Sequence, residues 1–381
     1  MTVVSNVMDN PSAFWVVNSL FVFALSVFCA GVLIPQILLI SFRKRLFDVP
    51  DERKIHQGVV PRLGGIAFKP VVFFSVALAL GLNMLLGYGQ LLGNIGSESR
   101  PLAFGFCTIM MLYLVGMADD LIGIRYRAKF AIQIICGLLV IAGGLWINNL
   151  HGLLFIHALL EWIGYPITLF AVVFIINAIN LIDGIDGLAS GLCGVAMLFY
   201  GLVFFIIGEY IYALLAFATL GVLVPFFYYN VFGDPAKKNK IFMGDTGSLT
   251  IGMMTCILSL KLLDGFPVNP SMQQPNAFFL AYSPLIIPCF DVVRVYLHRV
   301  RNGKNPFLPD KNHIHHKMLA VGMRQRTVMI IIVLVSVCFT LCNILLSRYI
   351  NVTLLLILDI FIWTLGNLWL TRRIHIAHSK L

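Results

Sequence analysis

The sequence predicts an all-α fold: a polytopic integral membrane protein that forms a single domain over residues 1–381. Hydrophobic residues make up 59% of the chain and charged residues only 12%, a balance that soluble domains of this size do not show. Many of the apolar runs reach or approach the ~20 residues that a helix needs to cross a bilayer. No tract rich in Ser, Gly or Pro divides the chain in the manner of a linker.

The apolar runs predict eleven membrane-spanning helices in chain order. They lie at about 14–41, 67–92, 101–118, 129–148, 163–181, 188–207, 211–231, 247–263, 277–298, 327–347 and 351–371. With these spans, the loops on one side hold all but three of the 27 Lys and Arg residues, namely all but Arg100, Lys261 and Arg348. Because cationic loops stay in the cytoplasm, we expect the N-terminus outside and the C-terminus in the cytoplasm.

The net charge of +10 follows from this topology and does not indicate nucleic acid binding. The loops carry no basic stripe interleaved with aromatic side chains, so nucleic acid is not an expected partner. Membrane lipids with anionic headgroups and an anionic substrate fit the basic face better. The eight cysteines all lie in predicted spans without a CxxC pair, so the sequence predicts no disulfide or zinc framework.

Five polar clusters lie on the predicted cytoplasmic side, in loops near 43–66, 119–129, 182–187, 232–247 and 299–326. In chain order they are His56 with Pro61–Gly65, Asp119 and Asp120 with Lys129, the run Asn177–Asp186, the segment Met243–Ser248, and the segment Asn305–His316. Polar groups at membrane helix ends are costly without partners, so the clusters indicate a functional site. Their carboxylate and amide oxygens are ligands that Mg²⁺ prefers, which favours a metal-dependent enzyme at the membrane surface.

The third cluster is the most informative stretch of the chain. Its oxygen-bearing side chains recur every three residues, at Asn177, Asn180, Asp183 and Asp186. On a helix the directions of these side chains shift by about half a turn from the first to the last, so they cannot all point one way. We therefore expect them to have different roles. Gly184 and Gly187 predict that the helix breaks there and that the backbone approaches a ligand. The alternative is a polar helix stop.

Other clusters leave alternatives open. Asp119 and Asp120 are either ordinary helix-end carboxylates or, beside Lys129, a pair that binds metal or accepts a proton. Gly244–Ser248 is either an ordinary helix start or an anion site in which Asp245 supplies a metal ligand.

The histidine-rich segment holds His313, His315 and His316. The spacing does not match the zinc pattern HExxH, and no cysteine lies close. The sequence therefore favours a role for these histidines, together with Arg301, in contacting phosphate. Asp359, in the middle of the last predicted span, is either a relay group or a locally paired carboxyl group.

The combination of motifs resembles the polyprenyl-phosphate N-acetylhexosamine-1-phosphate transferases of glycosyltransferase family 4. The shared features run from PRLGG at 61–65, through DD…K at 119–129, NAINLIDGIDGLA at 177–189 and MGDTGS at 243–248, to PFLPDKNHIHH at 306–316. They cover about two thirds of the chain. The His-Ile-His-His form is similar to the branch that uses UDP-N-acetylglucosamine. Ile314 interrupts the three consecutive histidines that are more typical of the peptidoglycan branch, which stays the alternative.

The resemblance implies a reaction and a location. Undecaprenyl phosphate attacks the β-phosphorus of a UDP-sugar, UMP leaves, and the lipid diphosphate-linked sugar begins a cell-envelope glycan such as lipopolysaccharide or O-antigen. The active site faces the cytoplasm from a bacterial inner membrane. A homodimer is left open, as is the choice between direct attack, which we favour, and a covalent phospho-aspartate. A membrane transporter is the alternative from another class, although transporters place polar residues near the bilayer midplane and often in repeated halves.

The resemblance also assigns roles to residues. Catalytic roles fall on Asp119, Asp120, Lys129, Asp183 and Asp186. Asn180 and Asp245 are expected to hold Mg²⁺, with Mn²⁺ as an alternative. Substrate contacts are expected from His56, Asn177, Asp186, Arg301, His313, His315 and His316.

Overall fold

The structure is a computed structural model that describes residues 11–46, 60–88, 95–265, 275–305 and 312–378. Within these ranges the chain forms helices, short 3-10 turns and loops, and one isolated bridge between Asn149 and Ala158 is its only β-type pairing. The all-α prediction is therefore confirmed. His56 and parts of the predicted loops 43–66 and 299–326 lie outside the described residues.

The described residues form thirteen α-helices, which we number in chain order. They are α1 Pro11–Lys44, α2 Phe68–Leu85, α3 Ile95–Ile122, α4 Tyr126–Ala142, α5 Glu161–Ile182, α6 Leu188–Ile207, α7 Tyr210–Val231, α8 Gly244–Leu263, α9 Ala277–Tyr282, α10 Ile286–Arg301, α11 Ile314–Ala320, α12 Gln325–Leu346 and α13 Val352–His378. A 3-10 turn, Gly64–Ala67, leads into α2, and another, Ser283–Leu285, joins α9 to α10.

Ten segments of the described chain are long and apolar enough to cross a membrane, and α9 with α10 counts as one of them. The remaining predicted span, the fourth at about 129–148, corresponds to α4, which has 17 residues, at the short end of what a span needs. This helix nevertheless runs from one end of the bundle to the other. Near its start Lys129 contacts Asp119, and at its end the carbonyl of Ala142 accepts hydrogen bonds from Arg100.

Helix α8 forms the centre of the bundle. All of its residues from Thr246 to Leu262 are buried, because α3, α5, α9 and the Gly64–Ala67 turn pack around it. At its far end Lys261 forms an ion pair with Glu98 of α3 at 2.9 Å, and Tyr212 donates a hydrogen bond to the same carboxylate at 2.7 Å. Helix α3 is thus tied to both ends of α8, which fixes the two helices against each other.

Glycines permit the Gly64–Ala67 turn and α3 to pack closely against the start of α8. A Cβ atom on Gly65 would overlap the backbone of Gly247, and one on Gly116 would lie 2.5 Å from the Cα atom of Thr246. The amides of Gly64 and Gly65 each donate a 3.0 Å hydrogen bond, to the carbonyls of Phe242 and Met243 respectively. The Pro61–Gly65 segment therefore serves as a backbone docking surface for the residues that enter α8.

We predict that Gly65→Ala lowers the free energy of unfolding by about 3 kcal/mol or more, because the new methyl group meets backbone that cannot move aside. Thermal unfolding in detergent measures the effect. Gly81→Ala is the matched control, since a Cβ atom at that position in α2 meets nothing within 4 Å. Equal melting temperatures for the two variants would contradict the close crossing.

Candidate active site

The start of α8 collects charged side chains from three helices. The ammonium group of Lys129 lies 2.7 Å from Oδ2 of Asp245 and 3.1 Å from Oδ2 of Asp119. The amide of Asn180 donates to Oδ1 of Asp245 at 3.0 Å. The three charged side chains are between 17% and 26% exposed, so they are shielded from bulk water yet open to a ligand. The two predicted metal ligands, Asn180 and Asp245, are therefore direct neighbours.

Asp120 points away from Lys129 and holds the first turn of α8. Its Oδ1 accepts a hydrogen bond from the amide of Asp245 at 2.9 Å, and its Oδ2 accepts from the amide and hydroxyl of Thr246 at 2.8 and 2.5 Å. A carboxylate here satisfies unpaired helix N–H groups and faces the positive end of the helix dipole. These contacts make Asp120 a positioning residue, and its catalytic role stays a prediction.

Gly244 turns the chain into this capped helix. Its φ of +69° lies in the left-handed region that favours glycine, and a Cβ atom there would overlap the carbonyl oxygen of Arg62. The same atom would lie 2.5 Å from Oδ2 of Asp120. Two features therefore position Asp245: the left-handed turn at Gly244 and the carboxylate cap from Asp120.

The loop after α5 carries Asp183 at the mouth of this cluster. Its side chain is exposed at the surface, yet the protein around it removes part of its hydration. Desolvation by that protein, followed by the nearby carboxylates of Asp245 and Asp186, raises the pKa of Asp183 to about 7, while Arg62 opposes the shift. A carboxyl group with this pKa exchanges its proton near neutral pH, which suits acid–base chemistry.

The same loop is fastened to the residues that precede α8. Asp186 forms a 2.5 Å ion pair with the largely buried Lys240. Asn230, at the end of α7, accepts a hydrogen bond from the amide of Gly187 at 2.7 Å and donates to the carbonyl of Ile241 at 2.8 Å. Sequence reasoning missed Asn230; its only signal is an amide one residue before the end of an apolar helix.

The histidine segment is anchored by Asp291, which is fully buried. Its Oδ2 shares a 2.7 Å hydrogen bond with Nδ1 of His313, and its Oδ1 accepts from the amide of Ile314 at 2.9 Å and from Arg294 at 2.8 Å. Asp291, with Arg294 beside it, thus caps the first turn of α11.

His315 lies against the Asp183 loop. Its ring is 1% exposed and occupies the space beside Gly184, where a Cβ atom would overlap the Nε2 atom. Burial, then the neighbouring His316, lowers the pKa of His315 to about 3, so the imidazole is neutral. Neither ring nitrogen has a hydrogen-bond partner among the described residues.

Two predicted substrate residues lie apart from this cluster. Asn177 donates hydrogen bonds to Gln133 at 2.6 Å and to the carbonyl of Val173 at 2.7 Å, which joins α5 to α4. Arg301 is exposed at the end of α10. The structure brings together Asp119, Asp120, Lys129, Asn180, Asp183, Asp186 and Asp245. His315 and His316 lie on the adjoining helix α11, and His313 directly precedes it.

Comparison with known proteins identifies the family. A family model described as glycosyl transferase family 4 matches residues 102–263, which hold α3 to α8. A Bacillus subtilis (strain 168) protein named "Probable undecaprenyl-phosphate N-acetylglucosaminyl 1-phosphate transferase" is 30% identical over 347 residues, which are 89% of this chain and 88% of the relative. The chain belongs to glycosyl transferase family 4.

Further family 4 relatives carry a related name, undecaprenyl-phosphate alpha-N-acetylglucosaminyl 1-phosphate transferase. The Yersinia pestis protein is 31% identical over 78% of this chain and 76% of its own length. The protein of Escherichia coli (strain K12) is 32% identical over 76% of this chain and 74% of its own length. The family resemblance expected from the motifs is therefore confirmed.

We predict that Gly184→Ala displaces the His315 ring and lowers the free energy of unfolding by about 1–3 kcal/mol. A double-mutant cycle with His315→Ala tests the contact, because removing the ring also removes the overlap. The coupling energy between the two sites should be about 1 kcal/mol or more. Additive effects on thermal unfolding would mean that the ring and the loop do not touch.

Proposed function

We propose that the protein transfers N-acetylglucosamine 1-phosphate from UDP-N-acetylglucosamine to undecaprenyl phosphate and releases UMP. The names of the relatives support this substrate pair, and a set of acidic and basic groups at one end of the membrane bundle supports the chemistry. We further propose that this end faces the cytoplasm of a bacterial inner membrane, as the basic loops indicate.

The observation that carries the proposal is the contact of Lys129 with both Asp119 and Asp245 at the membrane boundary. Two negatively charged reactants must meet during transfer, so cations have to offset the repulsion. The ammonium group of Lys129 is placed to donate hydrogen bonds to a phosphate oxygen. The phosphate of a membrane lipid lies at the same level of the bilayer as these helix ends.

The cluster is acidic enough to need a further cation. Five carboxylates, of Asp119, Asp120, Asp183, Asp186 and Asp245, stand beside three basic side chains, of Lys129, Lys240 and Arg62. Within this set the carboxylates outnumber the cations by two when all are ionised. A divalent cation balances that surplus.

Mg²⁺ fits the donor set. No group of three or more acidic, His or Cys side chains in the described chain has the arrangement of a complete metal site. Mg²⁺ does not require one, because it binds through one or two carboxylates together with water and substrate phosphates. Asp245 and Asn180 would hold it, and when bound it would neutralise charge on the diphosphate.

The bond changes follow from direct attack. An oxygen of the lipid phosphate forms a bond to the β-phosphorus, the bond from that phosphorus to the bridging oxygen breaks, and UMP leaves with the electron pair. Asp119 and Asp183 are the carboxylates open to the cleft that would take a proton from the lipid phosphate. His315 and the Asp186–Lys240 pair would hold the loop around Gly184 against the sugar nucleotide.

The direct test is release of UMP by purified protein supplied with undecaprenyl phosphate, Mg²⁺ and a panel of radiolabelled UDP-sugars. We expect turnover with UDP-N-acetylglucosamine and formation of a labelled lipid diphosphate. Turnover confined to UDP-MurNAc-pentapeptide would move the protein to the peptidoglycan branch. Absence of UMP release from every donor would refute a transferase function.

We predict that Asp245→Asn lowers kcat/KM by about 100-fold or more, because it removes the carboxylate expected to hold the metal. Asp234→Asn is the matched control: among the described residues its carboxylate accepts a hydrogen bond from the amide of Ala236 and contacts none of the cluster, so activity should stay close to that of the original chain. Mg²⁺ titrations of both variants measure the effect. Equal activity of the two variants would exclude Asp245 as a ligand.

A further inference from the structure

Helix α13 carries a polar stripe on the face that is turned into the protein. Its members recur every four residues, at Asp359, Trp363, Asn367 and Thr371, so they lie above one another on one side of the helix. Asp359 is 2% exposed and Asn367 is 6% exposed. Apolar residues between them, such as Phe361 and Leu365, are exposed on the outer face. The stripe is thus an internal feature of a membrane-spanning helix.

Helix α12 carries a second polar stripe, and one of its residues contacts Asp359. Ser336, Thr340 and Asn343 are all buried, and the amide of Asn343 donates to Oδ2 of Asp359 at 2.8 Å. Local pairing of Asp359, one of the two alternatives from the sequence, is therefore confirmed. We call these two stripes, with Tyr282 at the end of α9 and Ser283 in the turn that follows it, the polar seam.

The polar seam contains buried polar atoms for which the described residues offer no hydrogen-bond partner. They are the hydroxyls of Tyr282, Ser283 and Ser336, the indole nitrogen of Trp363 and the amide oxygen of Asn367. Buried polar groups in proteins nearly always have a partner, because an unmade hydrogen bond costs about 1–3 kcal/mol. Five such atoms in one region therefore point to a bound polar ligand.

Ring contacts connect the α9 part of the polar seam to α13. The ring of Phe290 is 6.0 Å from that of Tyr282 and 6.1 Å from that of Trp363, so the three rings form one cluster. Asn367 and Thr371, which lie four and eight residues after Trp363 in α13, continue the stripe toward the histidine segment.

The polar seam ends beside the candidate active site. Thr371 accepts a 3.1 Å hydrogen bond from Lys317, which follows His316 in α11. The stripe extends about 18 Å along the helix axis from Asp359 to Thr371, because an α-helix rises about 1.5 Å for each residue. The polar seam therefore leads from the membrane interior toward the helix that carries His315 and His316.

We propose that the polar seam binds a file of water molecules within the membrane-spanning part of the protein. Water is the ligand that matches this mixture of groups, because it accepts from the indole N–H of Trp363 and donates to the amide oxygen of Asn367. A metal cation satisfies only acceptors and leaves the indole donor unpaired. The proposal does not rest on the transferase function, since no substrate group enters it.

Hydroxyl-radical labelling of the full chain in lipid nanodiscs tests the proposal, because X-ray pulses produce the radicals from water held near a side chain. Tyr282 and Trp363 are expected to be oxidised several-fold faster than Tyr200. Tyr200 is the matched control: it is fully buried, and its hydroxyl donates to the carbonyl of Ala281 at 2.6 Å. Rates for Tyr282 and Trp363 equal to that of Tyr200 would overturn the proposal.

A variant adds a second readout. In Asn367→Leu, an apolar side chain of similar size takes the place of the amide that binds the water file. The oxidation rate of Trp363 should therefore fall, while that of Tyr200 stays constant. An unchanged Trp363 rate in a folded variant would overturn the continuous file. If the variant does not fold, the oxidation rates of Tyr282 and Trp363 relative to Tyr200 in the original chain still test the proposal.

Discussion

The carboxylate of Asp120 at the first turn of α8 is the contact on which the rest of the site depends. It accepts three hydrogen bonds from Asp245 and Thr246, and close packing of Gly65 and Gly116 against the same turn leaves it no room to shift. Asp245 is the second residue of this helix, so its side chain is directed by the cap. Lys129 and Asn180 reach it from α4 and α5, and α5 packs against both α4 and the central helix. The cluster therefore follows from how one helix begins.

The site has to satisfy two electrostatic requirements. Its carboxylates need cations in order to stay ionised near a membrane, and its substrates, as we propose them, bring more negative charge. Lys129 shared between two carboxylates meets the first requirement, and the surplus of carboxylates over basic side chains invites a divalent ion for the second. The Asp183 loop closes one side of the cleft, because Asn230 and Lys240 hold its end and the neutral ring of His315 lies against Gly184.

The sequence predicted the fold class and the helices well, because apolar length is a local property that tertiary packing does not change. It also placed the polar clusters at one end of the bundle, and Lys129, Asn180 and Asp245 do meet there. What it did not reveal was which helix neighbours which. Asn177 pairs with Gln133, and the two carboxylates of the Asp pair take different partners, because a few degrees of helix rotation decide such contacts. The burial and neutral state of His315 likewise depend on how α11 docks, which no local pattern records.

The most direct measurement is disulfide formation between cysteines introduced at Asp120 and Thr246 in a chain freed of its native cysteines. The hydrogen bond of 2.5 Å between these two side chains places them within reach of a disulfide, so mild oxidation should join them rapidly and in high yield. The pair at Asp119 and Thr246 serves as the control and should stay reduced, because Asp119 turns toward Lys129. Rapid cross-linking of the control pair, or none between 120 and 246, would contradict the proposed cap on α8.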